Sequence, residues 1–182
     1  MSNAVIPRDH VHKLSEACAD AGMSFQSTAK RSLENQSRLV RFFKANLPAM
    51  AAQPGEVSLY LLAVVVRIFE QCGGKLDRVG AVEIDRATAR VQAAAARAGL
   101  LPAGDDFPTR VRSITDRAQP HILDEALHAL FEREERKELE IEMDREQSSL
   151  VFLMLWAATE AMDSVWRSPK TPVWDAAVTG GA

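Results

Sequence analysis

Two stretches limit what this chain can become. In "GEVSLYLLAVVVRIFEQCGG", residues 55–74, only Ser58 interrupts the apolar run from Val57 to Val66. That is about ten residues, where a membrane-spanning helix needs roughly twenty. The run is therefore expected inside a protein core. Its ends carry helix signals. Pro54 suits a first turn, where its missing N–H costs nothing, Glu56 sits near the positive end of the helix dipole, and Gly73-Gly74 supply a left-handed exit. A second run, "LVFLMLWAA" at 150–158, is opened by Asp144 with Gln147 three residues on, the spacing of a capping box. A helix apolar on nearly every side needs neighbours on several sides. Two of them predict a bundle, with helices over 55–72 and 145–167 at its centre.

Apolar residues at helical period place further helices around these two. Residues 9–21 turn Val11, Leu14, Cys18 and Ala21 inward, and residues 27–47 repeat Ala29, Leu33, Gln36, Val40, Phe43 and Leu47 at spacings of four and three. Residues 79–98 are alanine-rich, with Ile84, Val91, Ala95 and Ala98 on one side, so this helix can approach a neighbour closely. Gly99 and Pro102 end it. A helix from Pro120 carries Ile122, Leu123, Ala126, Leu127 and Leu130 on its inner face, and 109–117 form two turns after a loop. The only alternation of strand period is "ELEIEMD", 138–144, read as a helix end or reversal. The expected fold is all-α: a single-domain bundle of about six helices, over residues 9–167, between a flexible N-terminus (1–8) and an extended tail (168–182) whose Trp174 docks on the body.

A chain of 182 residues buries roughly 70% of its extended surface and needs no disulfide or metal to fold. With 47% hydrophobic and 26% charged residues and a net charge of −3, the whole favours neither nucleic acid nor an acidic partner. Cys18 and Cys72 are too few and too far apart for a disulfide framework or a paired zinc motif, and read as core residues in a reducing compartment. The N-terminus lacks an apolar signal region, so the expected location is cytoplasmic.

Several clusters invite a chemical reading. Glu125, His128, Glu132 and Glu135 share one face of the fourth outer helix, and Glu125 with His128 forms the Glu-x-x-His unit of di-iron bundles. The second unit is missing, and the face lies opposite Ile122, Leu127 and Leu130, toward solvent. Asp9, His12 and Glu16 make a weaker cluster near the terminus. Neither is assigned a metal, and no cofactor is expected. Phosphate loops, nucleophile elbows and His-Glu-x-x-His are absent, which counts against an enzyme. "AAARAGL" with Arg110, Arg112 and Arg117 resembles a DNA-binding turn, but two prolines and two aspartates lengthen the connection beyond three or four residues, so nucleic acid is not the expected partner.

Charge asymmetry is the remaining signal. Residues 27–47 carry Lys30, Arg31, Arg38, Arg41 and Lys44 against Glu34, whereas 132–146 are rich in acids. Opposite faces of this kind orient partners more than they bind them. The leading expectation is a non-enzymatic interaction or regulatory module, self-associating as a homodimer, with Lys30, Arg38 and Arg41 facing Glu132, Glu135 and Glu138. Solvated faces with pairs such as Glu132 to Arg136 are the ordinary alternative. A different class of function is a small apolar ligand held between the central helices near Tyr60, Phe69, Met154 and Trp156, residues whose more ordinary role is core packing. A metal-dependent enzyme using Glu125, His128 and Glu132 is the third.

Overall fold

The computed structural model describes residues 3–47, 52–132 and 143–175. Among them the fold is all-α with one two-stranded ribbon. The helices are α1 (Arg8–Asp20), α2 (Phe25–Asn35), α3 (Ser37–Asn46), α4 (Ala52–Gln71), α5 (Ala81–Arg97), α6 (Phe107–Arg112), α7 (Pro120–Leu127) and α8 (Arg145–Val165). As the apolar runs require, α4 and α8 are central. α4 packs against α1, α2, α3 and α8, and α8 packs against α4, α5 and α7. Leu62, Val66, Phe69, Val151, Phe152, Leu155 and Ala158 are all shielded from solvent along the two. No described helix is long and apolar enough to cross a membrane.

The helix ends follow their local chemistry. Asp144 accepts from the Gln147 backbone N–H at 2.8 Å, and the Gln147 side chain accepts from the Asp144 N–H at 3.2 Å, closing the capping box that opens α8. Past α4, Gly73 and Gly74 take φ values of 75° and 73°. They turn the chain into β1 (Lys75–Leu76), which pairs antiparallel with β2 (Trp166–Arg167). The alanines of α5 let it lie close along α8, with Ala87, Val91, Ala94 and Ala95 buried.

Four features depart from the expected layout. The helix expected over 27–47 is two helices, because Gln36, at φ −117° and ψ 46°, leaves helical geometry. Its buried amide accepts from the Val79 N–H at 3.0 Å and donates to the Asp77 carbonyl at 3.1 Å, capping backbone groups of the segment before α5. Second, the ribbon has no counterpart in the expectation, since two-residue strands leave no periodic trace. Third, α7 continues as a π-helical turn over His128–Glu132. Fourth, residues 3–7, expected as part of a flexible end, lie against the body. Ile6 is fully buried, and the Asn3 side chain donates to the carbonyls of Asp163 and Trp166 at 2.7 and 2.8 Å. At the other end Trp174 is half-buried, its ring 5.6 Å from that of His10. The alternating segment 138–142 lies outside the described residues.

Burial explains the cysteines. Both are buried free thiols, and removal from water pushes the Cys72 thiol up to about 12.

Candidate functional site

Two concavities flank the contact between α5 and α8. The larger, of about 480 Å3, is an apolar groove. Its floor comes from Val91 and Ala95 of α5 with Leu153, Met154 and Ala157 of α8, and Phe42 closes one side from α3. Leu101 and Leu150 stand at its rim, 56% and 36% exposed, where isolated water-facing leucines cost apolar hydration. Small residues create the depression: alanines at 95, 96 and 157 and Gly99 leave the space that larger side chains would fill.

The groove adjoins the basic face. Phe42 and Asn46 both line it and stand four residues apart on α3, and Arg38 precedes Phe42 by the same interval, so the three form one row. Lys30, Arg31, Arg38, Arg41 and Lys44 are exposed, and among the described residues no acid pairs with any of them.

The expected acidic counterpart is placed differently. Glu132 receives two hydrogen bonds from the Arg112 guanidinium, at 2.6 and 2.9 Å, and has His128 at 3.6 Å. The Arg112 hydrogen bond holds its carboxyl below the usual carboxylate range. Its charge is thus engaged within the chain, and Glu135 and Glu138 lie outside the described residues.

The four residues expected around an apolar ligand do not converge on one cavity. Met154 lines the groove, whereas Trp156 lines the second, polar cavity. Phe69 is fully buried edge-on to Trp166, with ring centres 5.4 Å apart, and Tyr60 is 43% exposed against Phe25. Periodicity placed them on the two central helices correctly but could not fix their azimuths, and the two cavities that Met154 and Trp156 line open beside α5.

The titratable clusters are spent on intramolecular pairs. Glu125 is half-buried and binds His12 Nδ1 at 2.7 Å, tying α7 to α1, so the face around it is not turned wholly to solvent as expected. Among the described residues no three His, Cys, Asp or Glu side chains are grouped to hold a metal ion. Arg110 binds Asp106 at 2.6 Å, and Arg117, nearly buried, reaches Asp124 at 3.1 Å. With Arg112 on Glu132, the three arginines that follow the supposed DNA-binding turn, Arg110, Arg112 and Arg117, are all engaged by acids of this chain.

A buried polar layer was missed. Asp124 takes Arg8 at 2.9 Å as well as Arg117. Gln119 accepts from the Ile6 N–H and donates to Ala4 and Asp163. Glu160, on α8, accepts from the Trp156 indole N–H at 3.1 Å and the Ala118 N–H at 2.9 Å. The one available signal was Glu160 itself, an acid inside the apolar α8 run, which burial permits only with partners. Compared with models of known protein families, with curated proteins and with solved structures, the chain matches none.

Proposed function

We propose that this chain is a non-enzymatic helical interaction module that docks an amphipathic helix of acidic character in the groove between α3, α5 and α8. The observation that carries this reading is the continuity of an apolar depression of about 480 Å3 with a row of unpaired bases, Arg38 beside Phe42 on α3. An apolar stripe on the partner fills a groove of this kind at helical spacing, as in other helix-in-groove contacts. Burial there supplies affinity, while acids flanking the stripe meet Arg38, Arg41 and Lys44 and set its direction. The partner helix belongs to another protein or to a second copy of this chain.

A pair of synthetic helical peptides tests the reading. Both carry the same leucine stripe, flanked by glutamates in one and lysines in the other, and anisotropy reports binding. The acidic peptide is expected to bind, more weakly as salt screens the charges, and to lose binding to the Leu101→Asp/Leu150→Asp variant. Equal binding of both peptides, or of neither, refutes the proposal. Native mass spectrometry across salt concentrations then distinguishes the sources: a salt-sensitive dimer of bare chains identifies a second copy as the partner, and a monomer that takes up the acidic peptide identifies another protein.

A further inference from the structure

We infer that the polar cavity on the other flank of the α5–α8 contact binds a small zwitterion, a short aliphatic amino acid. The cavity measures about 210 Å3 and is lined by Arg90, Ala94 and Arg97 of α5, by Trp156 and Glu160 of α8, and by Asp116 ahead of α7. Glu160 has a side chain only 4% exposed. Its Oε1 is fully occupied by the indole and by Ala118. Its Oε2 is buried and accepts no hydrogen bond, although Arg90 Nη1 stands 3.1 Å away without directing an N–H at it. A buried carboxylate oxygen left in this way is costly, and the cavity is where a donor can reach it.

The charges around the cavity define that donor's chemistry. Arg90 and Arg97 balance Glu160 and Asp116, and neither Arg97 nor Asp116 has an ion-pair partner among the described residues. A simple anion would meet two acids, and a simple cation two guanidinium groups. A molecule carrying both charges satisfies both sets. Its ammonium donates to Glu160 Oε2 and Asp116, and its carboxylate takes the planar fork of Arg97, which suits bidentate pairing. Ala94 and the Trp156 ring supply an apolar wall for the short chain between them. At about 210 Å3 and open on one side, the cavity has room for a small amino acid.

Thermal shift and calorimetry on the full chain test this with glycine, β-alanine, L-alanine and L-valine, each against propionate and propylamine as singly charged controls. At least one zwitterion is expected to raise the melting temperature saturably, with at least tenfold tighter binding than either control. Arg97→Ala and Asp116→Asn alter exposed positions and are expected to weaken it at least tenfold with the unliganded melting temperature kept. Glu160→Gln is expected to do the same, and if that variant does not fold the two exposed ones still decide. No saturable shift with any of the four zwitterions, equal binding of the singly charged controls, or unchanged affinity in both exposed variants overturns the proposal and leaves a water-filled cavity. The groove peptides address different residues, so either proposal can fail alone.

Discussion

Replacing Gln119 by alanine is expected to be the most informative single test of the buried polar layer. Gln119 is 3% exposed and sits at φ 46° and ψ 61°, left-handed, immediately before Pro120 at the start of α7. Its side chain makes three bonds: from the Ile6 N–H at 2.9 Å, to the Ala4 carbonyl at 3.0 Å and to Asp163 Oδ1 at 2.8 Å. Together they staple the N-terminal segment to the start of α7 and to α8. Alanine removes all three. The Ile6 N–H is left buried and unpaired, which costs about 1–3 kcal/mol, and loss of the other two, whose acceptors partly regain water, adds about 1 kcal/mol. The expected loss is therefore about 2–4 kcal/mol. For a chain of this length it lowers the melting temperature by roughly 5–15 °C, at about 2–4 °C per kcal/mol. Backbone strain supplies an internal control. Glycine at 119 loses the same bonds but relieves a left-handed residue of roughly 1 kcal/mol, so Gln119→Gly should be less damaging than Gln119→Ala by about that amount. Urea unfolding at neutral pH, with both variants on one slope, measures the two differences. A Gln119→Ala loss below about 1 kcal/mol would refute the staple, given the cost of even one orphaned buried donor.

Two further outcomes follow from the same geometry. His12 is raised above its ordinary value of 6.5, first by its hydrogen bond to Glu125, whereas His10, two residues away, is lowered by burial and by Lys13. NMR titration should separate them on opposite sides of 6.5, and Glu125→Gln should bring His12 back toward it. The His12 link contributes stability that is fully present below pH 6.5 and lost as pH rises through its higher folded value, so an unchanged His12 in Glu125→Gln contradicts the link. Gly74→Ala is expected to cost about 2 kcal/mol or more, because at φ +73° its new Cβ would collide with the Arg167 carbonyl of β2; Gly22→Ala, at φ +53° with open space around it, should cost only about 1 kcal/mol of backbone strain. Equal losses in denaturant melts would show that β1 and β2 do not approach as described.

The fold was legible wherever the physics is local. Eight apolar residues in a row, 59–66, fix a core helix without any knowledge of its neighbours, and Asp144 with Gln147 marks a helix start because both hydrogen bonds lie within one turn. Gly73 and Gly74 announced their turn for the same reason. What failed was tertiary. Gln36 fitted the apolar seam of one long helix by spacing alone, yet its amide serves backbone groups some forty residues away, and that service breaks the helix in two. Asp124, Gln119 and Glu160 are likewise paid for by partners on other elements: Arg8 and Arg117, Ile6 and Ala4, Trp156 and Ala118. Gln36 and Glu160 share a mark visible in the sequence, a polar side chain at a position that helical period assigns to the core. Such a residue cannot stay buried without donors or acceptors from elsewhere, so its presence predicts a contact of high sequence separation even when the partner is unknown. At Gln36 the contact is complete. At Glu160 one oxygen takes two hydrogen bonds, whereas the other faces Arg90 at 3.1 Å without receiving one, and that difference separates a structural cap from a carboxylate oxygen still able to accept a hydrogen bond.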